Sequence, residues 1–204
     1  MFKKPVIIFE GIETSGKSTN IKIASNYLKS INRNFVKIRE PGGSKFSEKI
    51  RNIILNKKSN LNIKTDLLLM LASRSENIDK ILKKNYKKKI ILIDRFSDST
   101  FAYQHYGMNL DFKIISQINK FIIGEFNPNL TFLSVVKKND MKKRLNSRKH
   151  KNKYDKFNYN FYDKVQKGYL KLSKVKKKYV ILDSSKYNIN DIRKKIINSL
   201  TKVI

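Results

Sequence analysis

The sequence predicts an α/β fold, a three-layer sandwich whose five-stranded parallel sheet is covered by helices on both faces. Short apolar runs recur near residues 6–9, 34–39, 89–94, 130–136 and 179–183. The first, Val6 to Phe9, is continuously apolar, the mark of a parallel strand buried on both sides. Longer stretches with apolar residues three and four apart lie between the runs, the alternation that builds parallel sheets. The first run also passes through a glycine-bearing loop directly into a helical pattern.

The elements follow in order. Residues 6–9, Val-Ile-Ile-Phe, form the first strand. Gly11, Gly16, Lys17 and Ser18 then fit G-x-x-x-x-G-K-[ST]. Ile21, Ile23, Ala24, Tyr27 and Leu28 continue as one helix face. Strand, loop and helix in that order make a P-loop. Its backbone N–H groups converge on a polyphosphate, and the helix N-terminus favours negative charge. Lys17 supplies a cation for the β- and γ-phosphates, and the Ser18 hydroxyl suits Mg²⁺. The fold is therefore of the P-loop NTPase type.

Residues 34–39 read as the second strand, ended by Pro41, Gly42 and Gly43. A helix over 46–56 has Arg51 beside its apolar stripe. One long helix is expected over 63–84, with Arg74 in its apolar register. The third strand, 89–94, ends in Asp94, the acidic strand end that stands beside Mg²⁺ in P-loop proteins, and Arg95 follows. Residues 96–107 are dense in hydrogen-bonding side chains and show no element. Helices are expected over 114–126, 138–148, 161–174 and 189–200. Residues 149–157, polar and without periodicity, read as a loop or lid. Ligands of such sheets lie at the strands' carboxyl ends, which here carry Glu10, Arg39, Asp94 and Arg95.

The 204 residues suit one domain, 1–204, with a basic lid at about 144–157. There is no cysteine, hence no disulfide framework. The opening Met-Phe-Lys-Lys-Pro leaves no room for a signal peptide, and no apolar run reaches membrane-spanning length. A cytoplasmic protein is expected. Lysine and arginine number 46 against 16 acids, a net charge of +30. The excess is mostly lysine and runs along the whole chain beside abundant asparagine and isoleucine, as A/T-rich codons produce. No specific nucleic-acid partner is read from it, because charge alone speaks to solubility and non-specific attraction.

A P-loop lysine, a strand-end aspartate and further arginines suit phosphoryl transfer, where catalysis is positioning and neutralisation of charge. Arg39, Arg51, Arg74 and Arg95 exceed what one nucleoside triphosphate needs and suggest a second anionic substrate. A phosphate acceptor is already nucleophilic and needs no strong general base, which favours a nucleoside-monophosphate kinase. His105 and His150, the two histidines, read as structural or solvated, and Asp155, Asp163 and Asp183 as surface or helix-end charges.

From Val6 to about Leu200 the chain resembles the bacterial-type thymidylate kinases. The resemblance rests on the P-loop 9–19, Arg39-Glu40-Pro41-Gly42-Gly43, Glu48-Lys49-Ile50-Arg51, Leu71-Ala72-Ser73-Arg74, and Asp94-Arg95 with Ser99-Thr100-Phe101-Ala102-Tyr103-Gln104. It implies transfer of the γ-phosphoryl of ATP to dTMP with Mg²⁺, in a homodimer with no membrane partner. Gly11, Ile12, Glu13, Thr14, Ser15, Gly16, Lys17, Ser18 and Thr19 would hold ATP, and Ser18 and Asp94 the metal. Arg95 and Arg51 would hold the dTMP phosphate, with Arg74, Thr100 and Gln104 at the thymine. Tyr103 would pack at the sugar edge, Glu13 near the 3′-hydroxyl, and Glu40 near the acceptor phosphate and metal. Lys17, Arg95, Glu13 and a lid arginine would be catalytic.

The P-loop positions 13–15 hold no arginine, so in this family the lid supplies it, with Arg148 first and Arg144 second. The chain departs from the family pattern in three places. Asn152-Lys153 stands where Asp-Arg is usual, Met70 where a phenylalanine stacks on thymine, and Phe96 where tyrosine or histidine is common. The rival readings are a P-loop kinase for a different monophosphate or for a deoxynucleoside, and a P-loop nucleic-acid-binding protein.

Overall fold

Strands without a polar face must be covered on both sides, and the three central ones are, in one five-stranded parallel sheet of order β2-β3-β1-β4-β5. The computed structural model describes residues 4–124, 126–148, 152–176 and 178–204. The central strand β1 (Val6–Gly11) is buried along its length and pairs with β3 (Ile90–Asp94) and β4 (Leu130–Val135). β2 (Phe35–Arg39) and β5 (Tyr179–Asp183) are the edges.

Alternation along β1 divides the core between the two outer layers. Ile7 and Phe9 pack with Ile21, Ala24 and Leu28 of α1 (Lys17–Ser30) and with Ile192 and Ile196 of α9 (Ile189–Leu200). Val6 and Ile8 face the other way, onto Ile78, Leu82 and Phe96. Each fully buried Leu or Ile contributes about 1.5–3 kcal/mol. The three-layer reading of the sequence holds.

On the second face lie α2 (Lys45–Leu55), α3 (Ile63–Asn77), α6 (Phe112–Ile123) and α8 (Tyr159–Val175). Each starts at a side-chain cap, Ser44, Asn62, Asp111 and Asn158 respectively, which satisfies otherwise orphaned N–H groups. Capping explains why α6 and α8 begin two residues earlier than apolar spacing suggests. α7 (Lys138–Asn146) leads from β4 toward the lid.

Three segments differ from expectation. The single helix expected over 63–84 is α3, a π-helical turn Ile78–Leu82, and the short α4 (Lys83–Asn85). The break follows Asn77, which is buried and ties the 42–44 loop through Gly42 O and Ser44 N. Residues 97–107, unassigned from sequence, form α5 (Ser97–Thr100) and a π-helix Phe101–Gly107. Phe101, Ala102, Tyr103 and Gln104 are buried consecutively, so no helical stripe exists to be read. In the lid, Lys153–Lys156 form a short 3-10 helix closed by a capping box of Asn152 and Asp155. Residues 149–151, with His150, lie outside the described residues.

Candidate active site

The carboxyl ends of the strands open onto a cavity of about 900 Å³. Its P-loop end is built by Gly11, whose φ of +139° suits glycine, and whose added Cβ would stand 2.4 Å from Ser134 O on β4. The loop therefore lies hard against the neighbouring strand. Gly16, left-handed at φ 92°, turns the chain into α1. Glu13, Thr14, Ser15, Gly16, Lys17, Ser18 and Thr19 line the cavity. Gly11 and Ile12 do not; Ile12 is in the hydrophobic core.

Lys17 Nζ stands 3.9 Å from Asp94 Oδ1, a buried oxygen without a hydrogen-bond partner. Burial and Arg95 push the Lys17 ammonium below its ordinary pKa, with Asp94 opposing. A polyphosphate in the loop would relieve that stress. Among the described residues no group of three or more His, Asp or Glu gathers to cage a metal. One strand-end carboxylate and one hydroxyl instead suit Mg²⁺, which keeps waters and takes phosphate oxygens.

Beyond Lys17, Arg95 crosses beneath the loop. Its backbone is left-handed, φ 65°, and its N–H donates to Phe9 O at 2.9 Å. Nη1 donates to Gly11 O at 2.9 Å, and Nη2 to Glu13 Oε1 at 2.8 Å. The guanidinium lies over the Tyr103 ring at 5.0 Å, and the Tyr103 hydroxyl donates to the other Glu13 oxygen. Burial alone would lower the Arg95 pKa; Tyr103, Glu13, Tyr169 and Asp94 outweigh it and raise it. Arg51 enters from α2 and donates to Pro41 O at 2.6 Å.

The far end is walled by Met70, Arg74, Thr100, Tyr103 and Gln104. Arg74 is almost wholly buried. Nε donates to Glu40 Oε2 at 2.7 Å, Nη1 to Thr100 Oγ1 at 2.9 Å and Asn119 Oδ1 at 2.7 Å, and Nη2 to Phe96 O at 2.9 Å. Four of the five N–H groups of a guanidinium are thus engaged, leaving one for a ligand. Glu40 also lines the cavity, but it faces Arg74, and burial raises its pKa against the pull of that partner. Gln104 Nε2 contacts Met70 Sδ at 3.3 Å, while Gln104 Oε1 is buried without a partner.

The two lid arginines part company. Arg144, which also lines the cavity, donates through Nη1 to Thr14 O at 3.1 Å and Ser184 Oγ at 2.8 Å, tying the P-loop to the segment after β5. Arg148 stands over the cavity, paired with Asp155 at 2.6 Å. Asp155, expected as a surface or helix-end charge, is a helix-end charge that is buried: it closes the capping box of the 3-10 helix. Lys153 turns away to Asp66 at 2.9 Å and does not line the cavity. Glu10, expected at the converging strand ends, stops short of it. It accepts from Phe96 N at 2.9 Å and Ser99 Oγ at 2.5 Å, and burial raises its pKa to about 7. His105 is also structural, its Nδ1 2.8 Å from Leu110 O.

Ser184, Tyr187, Asn188, Ile189 and Ile192 complete the P-loop end and were not expected. They lie at and beyond the carboxyl end of β5, so the strand-end rule was the signal for them. The cavity presents Lys17, Arg39, Arg51, Arg74, Arg95, Arg144 and Arg148 against Glu13, Glu40 and Asp94, enough positive charge for two phosphate-bearing ligands end to end.

The family described as thymidylate kinase matches residues 9–196. A thymidylate kinase of Sulfurihydrogenibium sp. is 39% identical over 197 residues, 95% of each chain. One from Wolbachia pipientis is 38% identical over 201 residues, 96% of this chain and 99% of that one. The crystal structure of thymidylate kinase from Ehrlichia chaffeensis superposes with a TM-score of 0.78 at 32% identity, over 97% of this chain and 98% of that chain.

Proposed function

The chain belongs to the thymidylate kinase family and phosphorylates dTMP to dTDP with ATP in dTTP synthesis, and we propose how its own residues carry the transfer. ATP lies at the P-loop end, its phosphates in the N–H groups of 13–19 and on Lys17. Arg144 and the residues at 184–192 border the rest of the nucleotide. Arg95 and Arg51 grip the dTMP phosphate from two sides. The position of Arg95, bonded to both Gly11 O and Glu13 while spanning toward Tyr103, carries this reading. It holds a fork between the P-loop and the far end, where an acceptor phosphate must stand in line with the γ-phosphoryl.

The thymine lies against Met70, facing the remaining N–H of Arg74, the orphaned Gln104 oxygen and Thr100. The Tyr103 ring walls the sugar against a 2′-hydroxyl, and Glu13 faces the 3′-hydroxyl. Glu40 serves the base through Arg74. Ser18 and Asp94 would hold Mg²⁺, which supplies charge neutralisation at the transferring phosphate oxygens when bound. A dTMP phosphate oxygen attacks the γ-phosphorus, the bond to the β-phosphate oxygen breaks, and ADP leaves. No general base is required of this chain. Arg148 supplies the lid cation to the developing charge.

The chain 1–204 acts as one kinase unit with its lid at about 144–157. Exposed apolar side chains on α2 (Ile53), α3 (Leu68) and α6 (Ile114, Phe121), on one side of the sheet, support a homodimer. Among the described residues no helix is long and apolar enough to cross a membrane. With no cysteine and nucleotide substrates, a cytoplasmic site suits the chain.

The decisive experiment measures ADP release from Mg-ATP with dTMP, dUMP, UMP, AMP, thymidine or single-stranded DNA as acceptor. Turnover with dTMP and little with UMP or thymidine is expected. Equal turnover with UMP would overturn the Tyr103 role, and turnover with thymidine would overturn that of Arg51 and Arg95.

A further inference from the structure

Asp66, Met70 and Arg74 stand four residues apart on α3 and so share one helix face. Met70 and Arg74 line the cavity; Asp66, a turn further toward the N-terminus, is buried and lies outside it. Its Oδ2 accepts from Lys153 Nζ at 2.9 Å and from Tyr154 OH at 2.8 Å. Both partners come from the 3-10 helix of the lid. Asp66 Oδ1 has no hydrogen-bond partner. A buried carboxylate is costly unless paired, so these two lid groups matter to it as much as it does to them.

The lid helix passes the constraint on. Asp155 closes its capping box by accepting from Asn152 N at 2.7 Å through Oδ2. Through Oδ1 the same carboxylate holds Arg148 Nη1 at 2.6 Å. Tyr154 also packs edge-on against Tyr103, with ring centres 5.8 Å apart. A continuous set of contacts therefore runs from α3 through Lys153 and Tyr154 to Asp155 and Arg148. Lys153 spends its charge on Asp66 at one end of this set, while Arg148 faces the cavity at the other.

We propose that Asp66 is a positioning residue for phosphoryl transfer: by holding Lys153 and Tyr154 it seats the lid on the substrate-side helix and sets where Arg148 stands above the P-loop. This rests on the reading of Arg148 as the lid cation. Lys153 is then a latch and not a second transition-state cation. The usual Asp-Arg of the lid is replaced here by Asn152-Lys153 without loss of lid placement, because a compact ammonium suffices to meet a single buried carboxylate oxygen.

The test compares Asp66→Asn, Lys153→Met, Tyr154→Phe, Arg148→Ala and the Asp66→Asn/Arg148→Ala double variant. Each is measured by melting temperature, by steady-state kinetics with dTMP and ATP, and by the rate of limited tryptic cleavage after Lys156. Asp66→Asn keeps the side chain's shape and its acceptor for Tyr154 while removing the charge. It should lower kcat about tenfold with the KM for dTMP within about threefold, the pattern of an interaction expressed in the transition state. Cleavage should quicken about fivefold or more as the lid leaves its seat. Lys153→Met should reproduce both effects, and Tyr154→Phe a weaker version. Arg148→Ala should be slower still, and the double variant no slower than Arg148→Ala alone, since Asp66 acts through that guanidinium. Wild-type kcat and cleavage in folded Asp66→Asn and Lys153→Met would overturn the proposal, as would a double variant slower than Arg148→Ala by the full Asp66→Asn factor. Wild-type kcat in Arg148→Ala, with Asp66→Asn slow and readily cleaved, would uphold the latch and overturn only the Arg148 reading.

Discussion

Replacing Arg74 by lysine separates what this residue does for the fold from what it does for the substrate. The guanidinium serves Glu40, Thr100, Asn119 and Phe96 O at 2.7–2.9 Å and lies 5.2 Å from the Phe96 ring centre. A lysine ammonium is a single nitrogen with three donors and cannot span four acceptors on different elements. At least two of them lose their donor, at about 1–3 kcal/mol for each buried group left unpaired, hence about 2–6 kcal/mol in all. Each kcal/mol moves the midpoint of a domain this size by about 2–4 °C, so Tm should fall by roughly 4–24 °C. The remaining N–H is assigned to the thymine. Losing one charge-assisted hydrogen bond, worth about 1.5–3 kcal/mol, should raise the KM for dTMP by about one to two orders of magnitude. The KM for ATP should stay put. Differential scanning calorimetry reads the first effect, and ADP release at varied dTMP, below the new Tm, reads the second. A Tm within about 2 °C of wild type would refute the accounting of buried partners. An unchanged dTMP KM in an enzyme of lowered Tm would refute the placement of the base at Arg74.

Three further outcomes follow from single sites. Gly11→Ala places a Cβ 2.4 Å from the Ser134 carbonyl at a φ of +139°, so strain and overpacking should cost about 3 kcal/mol or more and lower Tm by roughly 6–12 °C. Burial raises Glu10 to about 7 from 4.5, so the folded protein keeps a proton that the unfolded chain releases above pH 4.5. Wild-type stability should therefore fall, by about 3 kcal/mol in total, as pH rises from 4.5 to 7, and urea melts of Glu10→Gln should lack that slope. Phe121→Glu puts a charge on the most exposed apolar side chain of the proposed dimer face, 88% exposed, and should yield monomers in sedimentation analysis with the melting temperature of the monomeric unit unchanged.

The fold was legible because its carriers are local. Val6 to Phe9, the glycines at 11 and 16, and Asp94 at a strand end are each a short pattern with one structural meaning. The P-loop end of the site came with them, and Arg51 and Arg74 from short motifs on the helices α2 and α3. What was illegible depends on partners distant in sequence. Asp155 reads as one acid in a basic loop, yet its place is fixed by Arg148 and the Asn152 cap. Glu10 reads as a site residue because it ends β1, but its oxygens are consumed by Phe96, Ser99 and Tyr169 before they reach the cavity. The π-helix at Phe101–Gly107 has neither a helical nor a strand period, so the segment that carries Tyr103 and Gln104 had function without a predicted form.

The charges of the site also answer the question raised by the net charge of +30. Three cations proposed to meet phosphate each stand beside a carboxylate: Lys17 with Asp94, Arg95 with Glu13, and Arg148 with Asp155. Pairing of this kind would be poor design for a surface that binds a polyanion by counterion release, where bare, solvated lysines serve best. It is good design for a transfer site. The carboxylates fix where each cation points before a phosphate arrives, so the substrate does not have to order them, and electrostatic preorganisation is what lowers the barrier. They also offset part of the repulsion between neighbouring cations, such as that of Arg95 on Lys17. Of the surface lysines, Lys80, Lys83, Lys167 and Lys176 also stand beside carboxylates, but none of the four lines the cavity. The proposed transfer chemistry therefore rests on the few cations whose orientation the fold has fixed, and the surrounding positive charge adds long-range attraction for anionic nucleotides.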